Sequence, residues 1–114
     1  MKLRMRDKDK ISFWIDDVKT PDFYVDLICR NGLLALSLLY YLKVSDLYID
    51  HDLGEGINGA EILKELFIAK HKDDLPETIF IISNNPVGRD NMRNIILDTD
   101  LYFEDNAWEF IKIN

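Results

Sequence analysis

Three short apolar runs in this chain each stop at a cluster of small polar residues. "ISFWI" at 11–15 ends in Asp16-Asp17, the strand-like "VSDLYID" at 44–50 ends in Asp50, which opens the run Asp50-His51-Asp52, and "TIFII" at 78–82 ends in Ser83-Asn84-Asn85. Continuous β-prone runs of this length read as strands covered on both faces, the habit of a parallel sheet in an α/β layer. "YVDLICR" at 24–30 reads as a further short strand, with Val25, Leu27 and Cys29 alternating against Asp26 and Ile28. Between the first two strands only "VKTPDF" intervenes, and Pro21 bars a helix across Thr20.

The segments between the later strands have helical character. "LLALSLLYYLK" follows Asn31-Gly32, lacks β-branched residues and reads as a buried helix. In "AEILKELFIAKHK", residues 60–72, Ile62, Leu63, Leu66 and Phe67 recur at helical spacing. "NNPVGRDN" reads as a loop whose end caps "MRNIILDT" as a short helix, with Asp90 or Asn91 as the N-cap. Residues 101–103 are strand-like, and the tail beyond them reads either as a strand or as a last helical turn. The order strand, strand, helix, strand, helix, strand, helix, strand predicts an α/β domain with a mostly parallel sheet.

With 114 residues the chain fits one domain over 11–114, preceded by the charged segment 1–10. A single cysteine, Cys29, excludes an intrachain disulfide and points to a reducing cytosolic compartment. The opening "MKLRMRDKDK" has no apolar signal-peptide core, and the stretch at 33–42 is too short to span a bilayer, so a soluble cytoplasmic protein is expected. Fourteen Lys and Arg against 21 Asp and Glu give a formal charge of −7. Such a surface repels a phosphate backbone, which excludes an extended nucleic-acid interface but not a small nucleotide or a divalent cation.

In a parallel sheet the polar strand ends converge at one rim, where ligands bind. Asp16-Asp17 is either a polar turn or a cation site, because neighbouring carboxylates are costly unless neutralised. Asp50 and Asp52, at i and i+2, share a face and can hold a cation or serve as base and nucleophile. His51 is a hydrogen-bonded loop residue or a ligand. Ser83 is an ordinary strand-end hydroxyl or a phosphoryl donor. Gly88 and Arg89 form a plain loop or an anion grip, and Lys19 is solvated or balances the acid pair.

These strand ends resemble the receiver domain of response regulators, with Asp16 and Asp17 matching its magnesium-holding acid pair, Asp50 its phospho-acceptor and Ser83 its strand-end hydroxyl. The receiver's first helix and its lysine-proline after the fifth strand have no counterpart. Both departures are shared by the cyclic-phosphate-processing receiver-like family, which the chain resembles more closely. "WIDDVKTP" (14–21), "LYIDHDLG" (47–54), "NGAEIL" (58–63) and "ISNNPVGRDNM" (82–92) match that family's motifs in order. Two positions depart from the pattern: Ile82 stands where the family usually has His, and Lys19 where it has Arg.

The resemblance implies a three-layer receiver-like (flavodoxin-like) fold with the first helix reduced or absent. It further implies Asp16, Asp17 and Asp50 as ligands of Mg²⁺ or Mn²⁺, with Asp50, His51, Asp52 and Ser83 in the chemistry. Lys19, Ser83, Asn85, Gly88 and Arg89 would grip phosphate. The implied reaction is hydrolysis of a cyclic phosphate, in a cyclic nucleotide or an RNA end, in a phage- or bacterium-encoded protein. Two other readings stay open: a non-catalytic module binding a nucleotide or a host protein, for which Ile82 speaks, and a phospho-acceptor switch using Asp50.

Overall fold

The computed structural model describes residues 9–114; of the charged segment expected over 1–10, all but Asp9 and Lys10 lies outside the described residues. Lys10 is tied down by an ion pair with Glu77 at 3.0 Å. The elements are β1 (Ile11–Ile15), β2 (Leu27–Cys29), α1 (Gly32–Tyr41), β3 (Val44–Ile49), α2 (Gly59–Ala69), β4 (Thr78–Ile81), α3 (Pro86–Asp98), β5 (Tyr102–Glu104) and β6 (Glu109–Lys112), with a short 3-10 turn at Lys72–Asp74. They build a six-stranded sheet in the order β2-β1-β3-β4-β6-β5. The four strands from β2 to β4 are parallel, and β6 inserts antiparallel between β4 and β5. The receiver-like, mostly parallel α/β architecture is therefore present, and no helix stands between β1 and β2.

Alternation along the strands sends two kinds of side chain to the two faces. Phe13, Ile15, Leu47, Ile49, Ile79 and Phe110 meet Ala35 and Leu39 of α1, Ile62, Leu63 and Leu66 of α2, and Met92 and Ile96 of α3 in one buried cluster. Helix α2 packs between α1 and α3, so the three helices form one layer against this face. On the other face Trp14, Tyr48 and Phe80 line up across β1, β3 and β4, with centroid separations of 5.4 and 4.4 Å. Phe23, from the loop joining β1 to β2, lies against Trp14 and Tyr48 at 6.0 and 5.3 Å. This loop and its aromatic contacts occupy the place of a helix, each pair contributing about 0.5–1.5 kcal/mol beyond area burial.

Two sequence expectations, on α3 and α1, need correction, and one alternative left open, in the tail, is decided. Helix α3 is not a short helix capped by Asp90 or Asn91; it runs 13 residues from Pro86, and its N-cap is Asn85. Proline suits the first helical position because the amide it lacks would be unpaired there, and the Asn85 side chain accepts from Gly88 N at 3.1 Å. The tail is a β-hairpin rather than a helical turn, reversing at Trp108 with φ of 63°. Helix α1 is apolar as read, but only Gly32, Ala35 and Leu39 of it are buried. Among the described residues no helix is long and apolar enough to cross a membrane.

Candidate functional site

The parallel register brings the ends of β1, β3 and β4 side by side, since Ile15 pairs with Ile49 and Ile49 with Ile81. Asp16 and Asp50 follow directly and Ser83 one residue later, past Ile82, and all three are buried. Carboxylate oxygens of Asp16, Asp17 and Asp50 lie within 4.8 Å of one another, a grouping that can hold a metal ion. They border an open cavity of about 310 Å³, lined also by Lys19, Asp52, Asn84 and Asn85.

Within this cluster negative charge is under-compensated. Asp16 Oδ1 accepts from the amides of Val18 and Lys19 at 2.8 and 3.0 Å, while its buried Oδ2 has no hydrogen-bond partner. Asp50 Oδ1 accepts from the His51 amide at 2.8 Å. Burial first, and the neighbouring Asp16 carboxylate second, push the Asp50 carboxyl above its ordinary range, against the pull of the Ser83 hydroxyl, the His51 amide and Lys19. Lys19 reaches the cluster across the loop, its ammonium donating to the Ile82 carbonyl at 3.0 Å. Three oxygen donors with one buried oxygen unsatisfied suit a hard divalent cation.

The loop carrying the acid pair is fastened by residues the sequence reading did not single out. The Trp14 indole donates to the Lys19 carbonyl at 3.0 Å. Arg30, at the end of β2, donates to the carbonyls of Asp16 and Lys19 and to the Thr20 hydroxyl. A basic residue ending a strand beside the acid-bearing one is the only sequence signal that could have marked Arg30.

His51 and Asp52 make a separate arrangement beside the acids. His51 Nδ1 stands 2.9 Å from Asp52 Oδ1, and the Asn85 amide donates to both Asp52 oxygens at 3.3 and 3.4 Å. Chiefly the His51 contact, with help from Asn85, holds the Asp52 carboxyl below its ordinary range. An ionised Asp52 only accepts, so Nδ1 is the donor in this contact. The imidazole lies on Gly88: a Cβ there would stand 2.4 Å from His51 Cγ. Gly59 plays a like part for the backbone. Its amide donates to the His51 carbonyl at 2.8 Å, and a Cβ on it would meet the Asp50 carbonyl oxygen at 2.1 Å. His51 also borders a second cleft of about 430 Å³ between α2 and α3, lined by Asn58, Glu61, Asn91 and Asn94.

The structure thus gathers Asp16, Asp17, Lys19, Asp50, Asp52 and Asn85 around one cavity, with Ser83 buried behind Asp50, while His51 joins this set through Asp52 and itself lines the second cleft. It does not bring Arg89 there. That guanidinium lies 4.6 Å from the centre of the Trp108 ring, which Arg93 also approaches at 5.9 Å while pairing with Glu104 at 2.9 Å. The Gly88 amide is engaged by the Asn85 cap. The family model described as cyclic-phosphate processing receiver domain matches residues 11–98. No curated protein and no solved structure matches the chain.

Proposed function

The chain belongs to the cyclic-phosphate processing receiver family, and on that premise we propose that it hydrolyses a cyclic phosphodiester, in a cyclic nucleotide or at an RNA end, with Mg²⁺ or Mn²⁺ held by Asp16, Asp17 and Asp50. The observation that carries this reading is the convergence of three carboxylates around a buried Asp16 oxygen without a partner. A bound divalent cation supplies the positive charge that the phosphate oxygens need beside these acids.

The chain's own groups have defined tasks in this reading. Lys19 presents an ammonium beside Asp50, adding charge at the phosphate. Asp52, fixed by Asn85, orients His51 and keeps its proton on Nδ1. His51 Nε2 takes a proton from the attacking water as the new P–O bond forms. The ester P–O bond on the far side of phosphorus breaks, the leaving alkoxide takes a proton from solvent, and His51 releases its proton to solvent. The products are a phosphomonoester and a free hydroxyl.

Ile82 favours a second reading, a module that binds a cyclic phosphate without turning it over, because the family usually has His at this position. One experiment separates the two. The protein is incubated with 2′,3′- and 3′,5′-cyclic nucleotides and cyclic-phosphate-ended RNA, with Mg²⁺ or Mn²⁺, and phosphomonoester release is followed. Release that vanishes in His51→Gln and Asp50→Asn supports the hydrolase. Ligand-dependent thermal stabilisation without release, and release gained by Ile82→His, supports the module. Neither release nor stabilisation with any of these ligands overturns both.

A further inference from the structure

Helix α1 carries no charged residue in a chain that is 31% charged. A helix apolar on every side is normally buried on every side. Here Leu33, Leu34, Tyr40 and Tyr41 are 60%, 55%, 42% and 87% exposed, and Ser37 between them is exposed as well. At 3.6 residues per turn these five positions fall within an arc of about 120°, opposite the buried Gly32, Ala35 and Leu39. The stripe is thus contiguous rather than a scatter of single surface apolar groups, and contiguous apolar surface marks an interaction site.

The stripe is arranged symmetrically about Ser37. Leu33 and Tyr41 stand four residues on either side of it, Leu34 and Tyr40 three residues on either side. An antiparallel copy of the same helix, turned about a two-fold axis through Ser37, therefore sets Leu33 against Tyr41 and Leu34 against Tyr40, twice over. Every large ring meets an aliphatic chain, and the small serine at the crossing allows a close approach of the helix axes.

Charge points to the same occupant. A charge of −7 on each copy opposes association, so copies that do meet must meet over a face that adds no acid of its own, and α1 carries none. The ends complement each other too. Lys43 is exposed directly after α1, and Glu55 is exposed in the loop whose Gly56 lies against Leu33 at the other end of the helix. Neither has an ion-pair partner among the described residues. The antiparallel arrangement brings Glu55 of each copy to Lys43 of the other.

We propose that α1 is the two-fold interface of a homodimer, centred on Ser37, with Leu33, Leu34, Tyr40 and Tyr41 interleaved across the axis. Sedimentation velocity from about 1 μM to about 1 mM tests it. The wild-type protein is expected to pass from monomer to dimer over this range, and Leu34→Glu to remain monomeric with an unchanged melting temperature at low concentration. Oxidation of Ser37→Cys is expected to give a covalent dimer, whereas the wild-type protein, whose Cys29 is buried, gives none. Leu33→Cys alone is expected not to cross-link, because its two copies stand far beyond disulfide reach of about 7 Å; mixed with Tyr41→Cys it is expected to. A wild-type monomer at about 1 mM, a dimer indifferent to Leu34→Glu, or cross-linking of Leu33→Cys by itself overturns the proposal.

Discussion

The two halves of the rim above the sheet handle charge in opposite ways. Around β1 and β3, buried carboxylates crowd together, one oxygen has no partner, and Asp50 is held above its ordinary range. Around β4 and the hairpin, each of the two arginines has a neighbour that answers its charge, Arg93 the Glu104 carboxylate and Arg89 the indole face of Trp108, although the buried Arg89 Nε has no hydrogen-bond partner. In the first half the crowded charge is all acidic, so under the proposed reading that is where a cation would gain most.

The contrast breaks most visibly if the acid half loses a donor. Asp16→Asn is expected to lower phosphomonoester release by about 10³-fold, some 4 kcal/mol of transition-state stabilisation. The same change should abolish the rise in melting temperature on adding Mg²⁺ to the wild-type protein. An unaltered Mg²⁺ response would show that Asp16 is no ligand. Gly88→Ala comes next, because its Cβ would collide with the His51 ring at 2.4 Å and displace it. Turnover should fall by up to about 10²-fold, with about 1–3 kcal/mol of stability lost to overpacking. Full activity in Gly88→Ala would remove His51 from the chemistry.

A smaller effect reads the strain directly. Asp50 is raised by burial and by Asp16, so its ionisation opposes folding. The protonated form is the better tolerated one, and the stability it brings is fully present below the unfolded carboxyl range and lost as pH rises through the folded value. Asp50→Asn should therefore raise the melting temperature by a few degrees at neutral pH without metal, the gain shrinking to nothing in acid. A melting temperature that falls at neutral pH would contradict the assignment. Smallest of all, Arg89→Met should lose the cation–π contact, about 0.5–2 kcal/mol, and leave KM nearly unchanged. A tenfold rise in KM would instead return Arg89 to the phosphate and dissolve the division between the halves.

The acid half was legible in the sequence because strand ends announce themselves. Runs of β-prone residues stopping at Asp16, Asp50 and Ser83 need only a parallel register to converge, and the sheet provides it. The arginine half was not legible, since nothing local links Arg89 to Trp108, 19 positions along the chain in a hairpin whose strand character was ambiguous. The start of α3 was readable in principle: Asn85-Pro86 is an N-cap followed by a first-turn proline, outvoted by the loop-forming composition of "NNPVGRDN". The exposed side of α1 was hidden for a different reason. Apolar composition reports that a surface avoids water but not which neighbour covers it.

The two tryptophans fall one to each half. Trp14 donates its indole proton to the Lys19 carbonyl on the acid loop, and Trp108 lies beneath the two guanidiniums. Indole emission responds to nearby charge and to the polarity around the ring, so the chain carries its own pair of optical reporters. In Trp108→Phe the remaining fluorescence would come from Trp14, whose ring is clamped to the backbone that bears Asp16 and Asp17. Occupancy of the acid pocket could then be titrated by light alone, with no label and no substrate.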